Sequence, residues 1–375
     1  MSPALASSTT TISSPQKPLQ KTGALDQYER EDVTPIIGTE FTKAKLSDWI
    51  KAPNADELLR DLAILISERG VVFFREQDGL SNNDQKELMQ RLGELTGKPP
   101  TSRLSIHPIF EQGDNDPEIN TISAAQDNKL RSIDYSVCIP KKQSSAHWHS
   151  DVAFEPVPAE YTTLRLTEVP KTGGDTLWAS GYELFDRISK PYQRFLETLT
   201  ATCAQPGYNK VAATGKFKLF DGQRGAPENV GSDFSSTHPV VRTNPVTGWK
   251  SIYSAGFHVQ KIDGVTEAES KALLDWFLRL INENNDLQVR FKWKNANDMG
   301  EWIGSFSLVL DTLLINLRSF IAIWDNRCVF HTATFDLEGR EDRYGVRAVG
   351  VGEKPYFDPN SKSRREALGE PIQTM

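Results

Sequence analysis

The stretch 145-SAHWHSDVAF-154 places His147, His149 and Asp151 at alternate positions. In an extended strand, side chains at i, i+2 and i+4 lie on one face. A strand over 147–154 therefore aims all three at one spot. Imidazoles and a carboxylate that converge in this way form a donor set for a divalent cation. The chain has only six histidines, so this density stands out against the plainer reading of a solvated polar strand face. Which of the three would hold a metal depends on what the rest of the chain offers.

A distant third donor is available in 324-WDNRCVFHTATFD-336, where His331 is followed by Arg343 and Arg347. Two histidines and one carboxylate on one face of an octahedron leave open positions, the arrangement of non-haem Fe(II) oxygenases, which must bind a chelating co-substrate and O2 together. Arg343 and Arg347 are an even number of steps apart and share a face if 344-YGVRAVGV-351 is a strand. Two guanidinium groups beside a metal can each hold an anion bidentately. Cys328-x-x-His331 is a weak metal signal by itself.

Composition narrows the function classes. The chain has 375 residues, 38% hydrophobic and 25% charged, with a net charge of −7. An acidic balance argues against a general nucleic-acid or anionic-membrane surface, so the expected partner is a small anionic molecule caught by a local arginine cluster, with no nucleic acid and no membrane. Three cysteines are too few for a disulfide framework and suit a reducing, cytoplasmic setting. Residues 1–25, rich in Ser, Thr and Pro, read as a disordered tail.

The coarse pattern is mostly β with peripheral helices. Helices are predicted over 54–70, with Asn54 and Glu57 at capping-box spacing, over 82–97 after Ser81, over 181–199 with a break near Pro191, and over 266–285 after Thr266 and Glu269. Strands are predicted at 71–75, 118–124, 147–154, 161–169, 176–180, 287–293, 322–331 and 344–351, with a hairpin over 239–255 turning at 244-NPVTG-248. There is no βαβ alternation and no phosphate-binding glycine loop. A single domain over 26–375, a β-sandwich or jelly roll carrying helices outside, fits best.

The blocks 70-GVVFFR-75, 105-SIHP-108, 148-WHSDVAFEPVP-158, 173-GGDTLWAS-180, 238-HPVVRTNPVTGWKS-251, 322-AIWDNR-327 and 347-RAVGVGEKP-355 together resemble the taurine / 2,4-dichlorophenoxyacetate dioxygenase family, and within it the fungal sulfonate dioxygenases. The resemblance implies a double-stranded β-helix (jelly roll) that uses Fe(II), 2-oxoglutarate and O2. It implies His149, Asp151 and His331 as the metal ligands, leaving His147 outside the metal shell. It implies Arg343 and Thr176 for the distal carboxylate of 2-oxoglutarate. Arg347, His107 and the backbone around Val152 would meet a sulfonate, and Phe257 would line the substrate pocket. Phe110 stands where the taurine enzymes carry a tyrosine, and Ser145 where an asparagine is expected, which relaxes the preference for taurine. The implied reaction hydroxylates the carbon next to sulfur and releases sulfite and an aldehyde, with succinate and CO2. The same chemistry on a sulfate ester or an aryloxy-acetate is the alternative. His238 reads as structural, and His258 is open between structure and pocket. His-x-His-x-Asp also opens the metal motif of the metallo-β-lactamase fold, but that motif needs a histidine where Val152 stands. A homo-oligomer is compatible with this family.

One departure is local. Family members run from a segment like 297-NDM-299 straight into 322-AIWDNR-327, whereas this chain interposes 300-GEWIGSFSLVLDTLLINLRSFI-321. The segment is apolar but carries Asp311 and Arg318, against a membrane span. Gly300-Glu301 can be encoded with a splice donor and Ile321-Ala322 with an acceptor, so the segment reads as a foreign insert, a translated intron. A lineage-specific surface helix is the alternative. A true insert next to the strand leading to His331 threatens activity.

Overall fold

In 71-VVFF-74 every side chain is buried, but on two different faces. Val72 and Phe74 enter a core with the helices Leu46–Lys51, Ala55–Arg69 and Asn82–Leu95. Val71 and Phe73 enter another that lies between two sheets. The period of two along a strand buried on both faces produces this division.

The computed structural model describes residues 18–110, 116–123, 147–170, 172–293, 319–334, 336 and 343–371. Its strands are β1 Arg30–Asp32, β2 Thr39–Phe41, β3 Val71–Phe74, β4 Ile109–Phe110, β5 Asn120–Ser123, β6 Ala159–Glu168, β7 Thr176–Ser180, β8 Thr200–Ala204, β9 Lys218–Leu219, β10 Ser235–Pro239, β11 Val241–Thr243, β12 Lys250–Ile252, β13 Val259–Ile262, β14 Gln288–Phe291, β15 Phe320–Asp325, β16 Val329–Ala333 and β17 Tyr344–Val351. The largest sheet has seven strands in the order β1-β2-β3-β15-β6-β17-β5, and a three-stranded sheet has the order β14-β7-β16. Within these two sheets only β2 and β3 pair in parallel. The two sheets meet face to face: Phe73 stacks on Phe291 at 4.2 Å and packs edge-on against Trp178 at 5.3 Å, while Trp178 meets Trp324 at 5.7 Å.

β15 shows the same two-sided alternation. Phe320, Ala322 and Trp324 point between the sheets, and Ile321 and Ile323 point at the helices. Ile321 lies opposite Phe74 on one side and Arg165 on the other. Phe320 and Ile321, the last residues of the expected insert, are therefore part of the central sheet. Residues 300–318 lie outside the described residues, as do most of the N-terminal tail and Ser145.

Local chemistry accounts for the helix boundaries. Ser81 with Asp84 and Thr266 with Glu269 form capping boxes at the starts of Asn82–Leu95 and Glu267–Glu283. Asn54 makes no side-chain cap, contrary to the expected pairing with Glu57. The helix predicted over 181–199 is two, Gly181–Asp186 and Lys190–Leu196, with Pro191 in the first turn of the second. There its missing N–H removes no helical bond. The hairpin of β11 and β12 closes with Gly248 donating to the Asn244 carbonyl at 2.8 Å. The single strand predicted over 322–331 is two, because Asp325 builds a tight turn. Its carboxylate accepts from the Arg327 N–H at 2.9 Å and its carbonyl from the Cys328 N–H at 3.1 Å. The turn moves the chain from the large sheet to the small one and delivers His331.

Candidate active site

The expected strand over 147–154 is reduced to one rung. His149 donates its N–H to the His331 carbonyl at 3.1 Å, and His331 donates to the His149 carbonyl at 2.9 Å. Immediately afterwards the chain turns, with Val152 at φ +46°. Left-handed backbone is unfavourable for a β-branched residue. The turn swings Asp151 towards the two imidazoles, so convergence comes from the rung and the turn, not from strand alternation. The Nε2 atoms of His149 and His331 each lie 3.9 Å from Asp151 Oδ1. One ligand atom from each of the three residues falls within 4.8 Å of the others, and no other such cluster occurs among the described residues.

The protonation states suit a cation. The His147 carbonyl accepts from His149 Nδ1 at 2.7 Å, which leaves the Nε2 lone pair free to coordinate. Burial pushes His149 down and His331 well below the ordinary imidazole range, so both are neutral donors. Burial alone would raise Asp151, but the Arg347 guanidinium beside it and the hydrogen bond from Thr162 oppose this, and the carboxyl is brought down to about 2. Neutral imidazoles and an ionised carboxylate around one point fit iron(II) by donor type.

Asp151 is fixed from behind. Thr162 donates to Oδ2 at 3.0 Å, and the Asp151 N–H donates to Asn326 Oδ1 at 3.0 Å. Asn326 Oδ1 also accepts from Trp324 Nε1 at 3.0 Å, while Asn326 Nδ2 donates to Thr162 Oγ1 at 2.8 Å and to the Glu160 carbonyl at 3.0 Å. Every polar atom of the Asn326 amide is used. Neither Asn326, Thr162 nor Trp324 was singled out from sequence.

Two arginines approach, Arg347 on β17 and Arg343 just before it. Arg347 Nη1 donates to Asp151 Oδ1 at 2.7 Å, while its Nε is buried with no partner among the described residues. Arg343 Nη2 donates to Thr176 Oγ1 at 3.1 Å, and Trp293 Nε1 donates to the same oxygen at 3.2 Å. With both lone pairs of Thr176 engaged, its own hydroxyl hydrogen remains to donate. An arginine and a hydroxyl donor side by side suit a carboxylate.

The remaining expected pocket residues are placed unevenly. The N–H of Val152 makes no hydrogen bond among the described residues. His107 donates Nδ1–H to the Ile109 carbonyl at 2.7 Å, and its Nε2 faces the Tyr208 hydroxyl at 3.5 Å. Burial lowers its pKa to about 4. Phe257 donates its N–H to the Trp148 carbonyl at 2.8 Å. This close approach needs Gly256 (φ +89°), where a Cβ would sit 1.9 Å from the Trp148 oxygen. Phe110 is in β4, but its side chain lies outside the described residues. His238 Nε2 faces the carbonyls of Ala153 at 2.9 Å and Glu155 at 3.1 Å, behind the turn.

A profile of the taurine catabolism dioxygenase TauD, TfdA family matches residues 29–299. It ends where the interposed segment begins. The chain is 50% identical over 360 residues to the α-ketoglutarate-dependent dioxygenase btcD of Neocamarosporium betae, covering 94% of this chain and 98% of that one. It is 29% identical over 332 residues to an α-ketoglutarate-dependent sulfonate dioxygenase of Saccharomyces cerevisiae, covering 88% and 69%. The crystal structure of a taurine dioxygenase from Burkholderia xenovorans superposes with a TM-score of 0.60 at 23% identity, covering 89% of this chain and 92% of that one, a likeness of fold. No helix among the described residues is long and apolar enough to cross a membrane. The chain belongs to the TauD/TfdA family and is an α-ketoglutarate-dependent dioxygenase that works with iron(II), 2-oxoglutarate and O2.

Proposed function

We propose that this dioxygenase hydroxylates a small organosulfonate at the carbon next to sulfur, on a jelly-roll scaffold. His149, Asp151 and His331 hold the iron, and Arg343 with Thr176 holds the distal carboxylate of 2-oxoglutarate. The observation that carries the reading is Arg347: it touches the Asp151 carboxylate at 2.7 Å and keeps a buried, unpartnered Nε–H. A guanidinium with spare donors next to the metal-binding carboxylate draws an anionic head group to the reacting centre. The free N–H of Val152 and the flank of His107 complete that subsite, and Phe257 borders it. The sulfonate relative in yeast points to the same class.

When bound, iron(II) and 2-oxoglutarate supply the O2 activation that turns a C–H bond into C–OH, with 2-oxoglutarate leaving as succinate and CO2. The chain's own contribution is position. Arg347 and Val152 anchor the anion so that one C–H faces the metal, and the buried walls around the site exclude water. A carbon bearing both hydroxyl and sulfonate then collapses to an aldehyde and sulfite.

Sulfite and succinate release, measured across a sulfonate panel with iron(II) and 2-oxoglutarate, tests the reading. Asp151→Ala should abolish both products and iron binding, while His147→Ala should retain iron. Absence of sulfite from every sulfonate refutes the substrate class. Iron loss in His147→Ala with retention in Asp151→Ala refutes the ligand set.

A further inference from the structure

Two histidines outside the metal cluster flank Asp151 and Arg347, and they differ in what their rings have left to give. His107 is occupied at both nitrogens, Nδ1 by the Ile109 carbonyl and Nε2 by the Tyr208 hydroxyl. His258 is only 7% exposed, and neither of its ring nitrogens makes a hydrogen bond among the described residues. Its ring stands edge-on to His149 at 5.6 Å and Phe154 at 5.2 Å and lies against Phe257 at 5.1 Å. The charges of Asp151 and Arg347 both act on it. The backbone holds it firmly: its carbonyl accepts from the Ala204 N–H at 2.8 Å, and Gly256 locks the preceding turn against Trp148.

An unpaired polar ring in such a place is unfavourable by itself, since a buried donor or acceptor without a partner gives up its bond to water and gains none in return. The ring adds nothing to the metal cluster and makes no structural bond, which distinguishes it from His238. We infer that His258 is a specificity-determining residue, which hydrogen-bonds a second polar group of the substrate, a hydroxyl or amine on the carbon chain that carries the sulfonate. A neutral imidazole offers one donor and one acceptor, and a hydroxyl or amine can meet either. Phe154 and Phe257 border the His258 ring with aromatic surface. The substrate is thereby held at two ends, its anion by Arg347 and its second polar group by His258, with the reacting carbon between them.

This inference rests on the sulfonate reading and deepens it. The test uses the full chain loaded with iron(II) and 2-oxoglutarate. Sulfite and succinate are measured with 2-hydroxyethanesulfonate, 2-aminoethanesulfonate and propanesulfonate, for the wild type, His258→Phe and His258→Gln. The wild type should favour at least one of the two substituted sulfonates over propanesulfonate. In His258→Phe the KM for that substrate should rise about tenfold, the equivalent of one hydrogen bond, and the KM for propanesulfonate should stay within about twofold. Iron content and 2-oxoglutarate affinity should be unchanged, and succinate should exceed sulfite because the loosened substrate uncouples the reaction. His258→Gln, which keeps a donor and an acceptor, should recover most of the loss. Equal KM shifts for all three sulfonates, loss of iron in His258→Phe, or no recovery in His258→Gln would each overturn the inference and leave the sulfonate reading standing. A wild type that releases no sulfite from any of them overturns both.

Discussion

Asn326→Asp is nearly isosteric, yet it inverts the hydrogen bonding behind the Asp151 carboxylate. The amide Nδ2 donates to the Glu160 carbonyl at 3.0 Å and to Thr162 Oγ1 at 2.8 Å. An aspartate oxygen in that place faces the carbonyl as acceptor against acceptor. Thr162 can answer only by turning its hydroxyl hydrogen away from Asp151 Oδ2, which it now serves at 3.0 Å. Two buried hydrogen bonds are lost and a second negative charge is buried next to Asp151. At about 1–3 kcal/mol for each unsatisfied buried group, the expected destabilisation is about 3 kcal/mol at pH 7. Iron affinity should fall about 10–100-fold, the usual effect of losing a partner behind a metal ligand. Because the new carboxyl is favoured when protonated, part of the stability should return near pH 5. Urea unfolding at the two pH values and iron titration make the measurement. A variant as stable as wild type at pH 7 with unchanged iron affinity would falsify this account of Asn326.

Four other outcomes are expected. Arg343→Ala should raise the 2-oxoglutarate requirement well over tenfold, since truncating one member of a buried charge pair costs about 2–5 kcal/mol; an unchanged requirement would show that another residue binds the co-substrate. Val152→Gly relieves about 1–2 kcal/mol of left-handed strain against about 0.5–1 kcal/mol of added chain entropy, so stability should hold or rise slightly while sulfonate KM increases; destabilisation beyond 1 kcal/mol argues against the strain. His238 is held by burial at a pKa of about 4 against an unfolded value of 6.5, so between these values the unfolded chain binds a proton that the folded chain does not. Stability should therefore fall as pH drops below 6.5, by about 2 kcal/mol at pH 5 from this residue, and a stability slope over pH 6.5–5 that is no shallower in His238→Gln speaks against it. Deleting 300–321 joins Met299 to Ala322, and solubility, iron content and activity should rise together; a full-length chain that is already iron-replete and equally active would sink the idea of a foreign segment.

Elements with local signals were legible from sequence. The cap at Ser81, the capping box at Thr266 and the glycine-closed hairpin at 244–248 depend on neighbours in the chain. His147, His149 and Asp151 stood out by spacing and by the scarcity of histidine, and the family resemblance picked out His149, Asp151 and His331. The shell around them did not. Asn326 and Thr162 reach Asp151 only because β15 and β6 pair, a long-range relation that leaves no mark near either residue. The extended reading of 147–154 missed the left-handed Val152, since nothing in a Val-Ala-Phe run announces positive φ. The turn after Asp325 carried a usable signal, an Asp-Asn pair that favours turns, which the apolar run on either side obscured. His258 was left open because its role depends on which partners it lacks, and that can be read only from a folded chain.

The mutual backbone bonds of His149 and His331 set the time at which a dangerous cofactor can be taken up. A growing chain exposes His149 and Asp151 early, along with Thr176, but β16, which carries His331, is made only after β15, the strand that lies between β3 and β6. Arg343 and Arg347 emerge later still. A ribosome-bound or prematurely ended chain thus lacks His331, the proposed third donor, and both arginines proposed to bind anions. Such a chain could hold iron only weakly, and 2-oxoglutarate beside it hardly at all. Domains fold as units once their sequence is available, and metal uptake is coupled to that folding. Oxygen-activating chemistry is thereby withheld from unfinished molecules, where an unguided oxidant would attack the polypeptide itself.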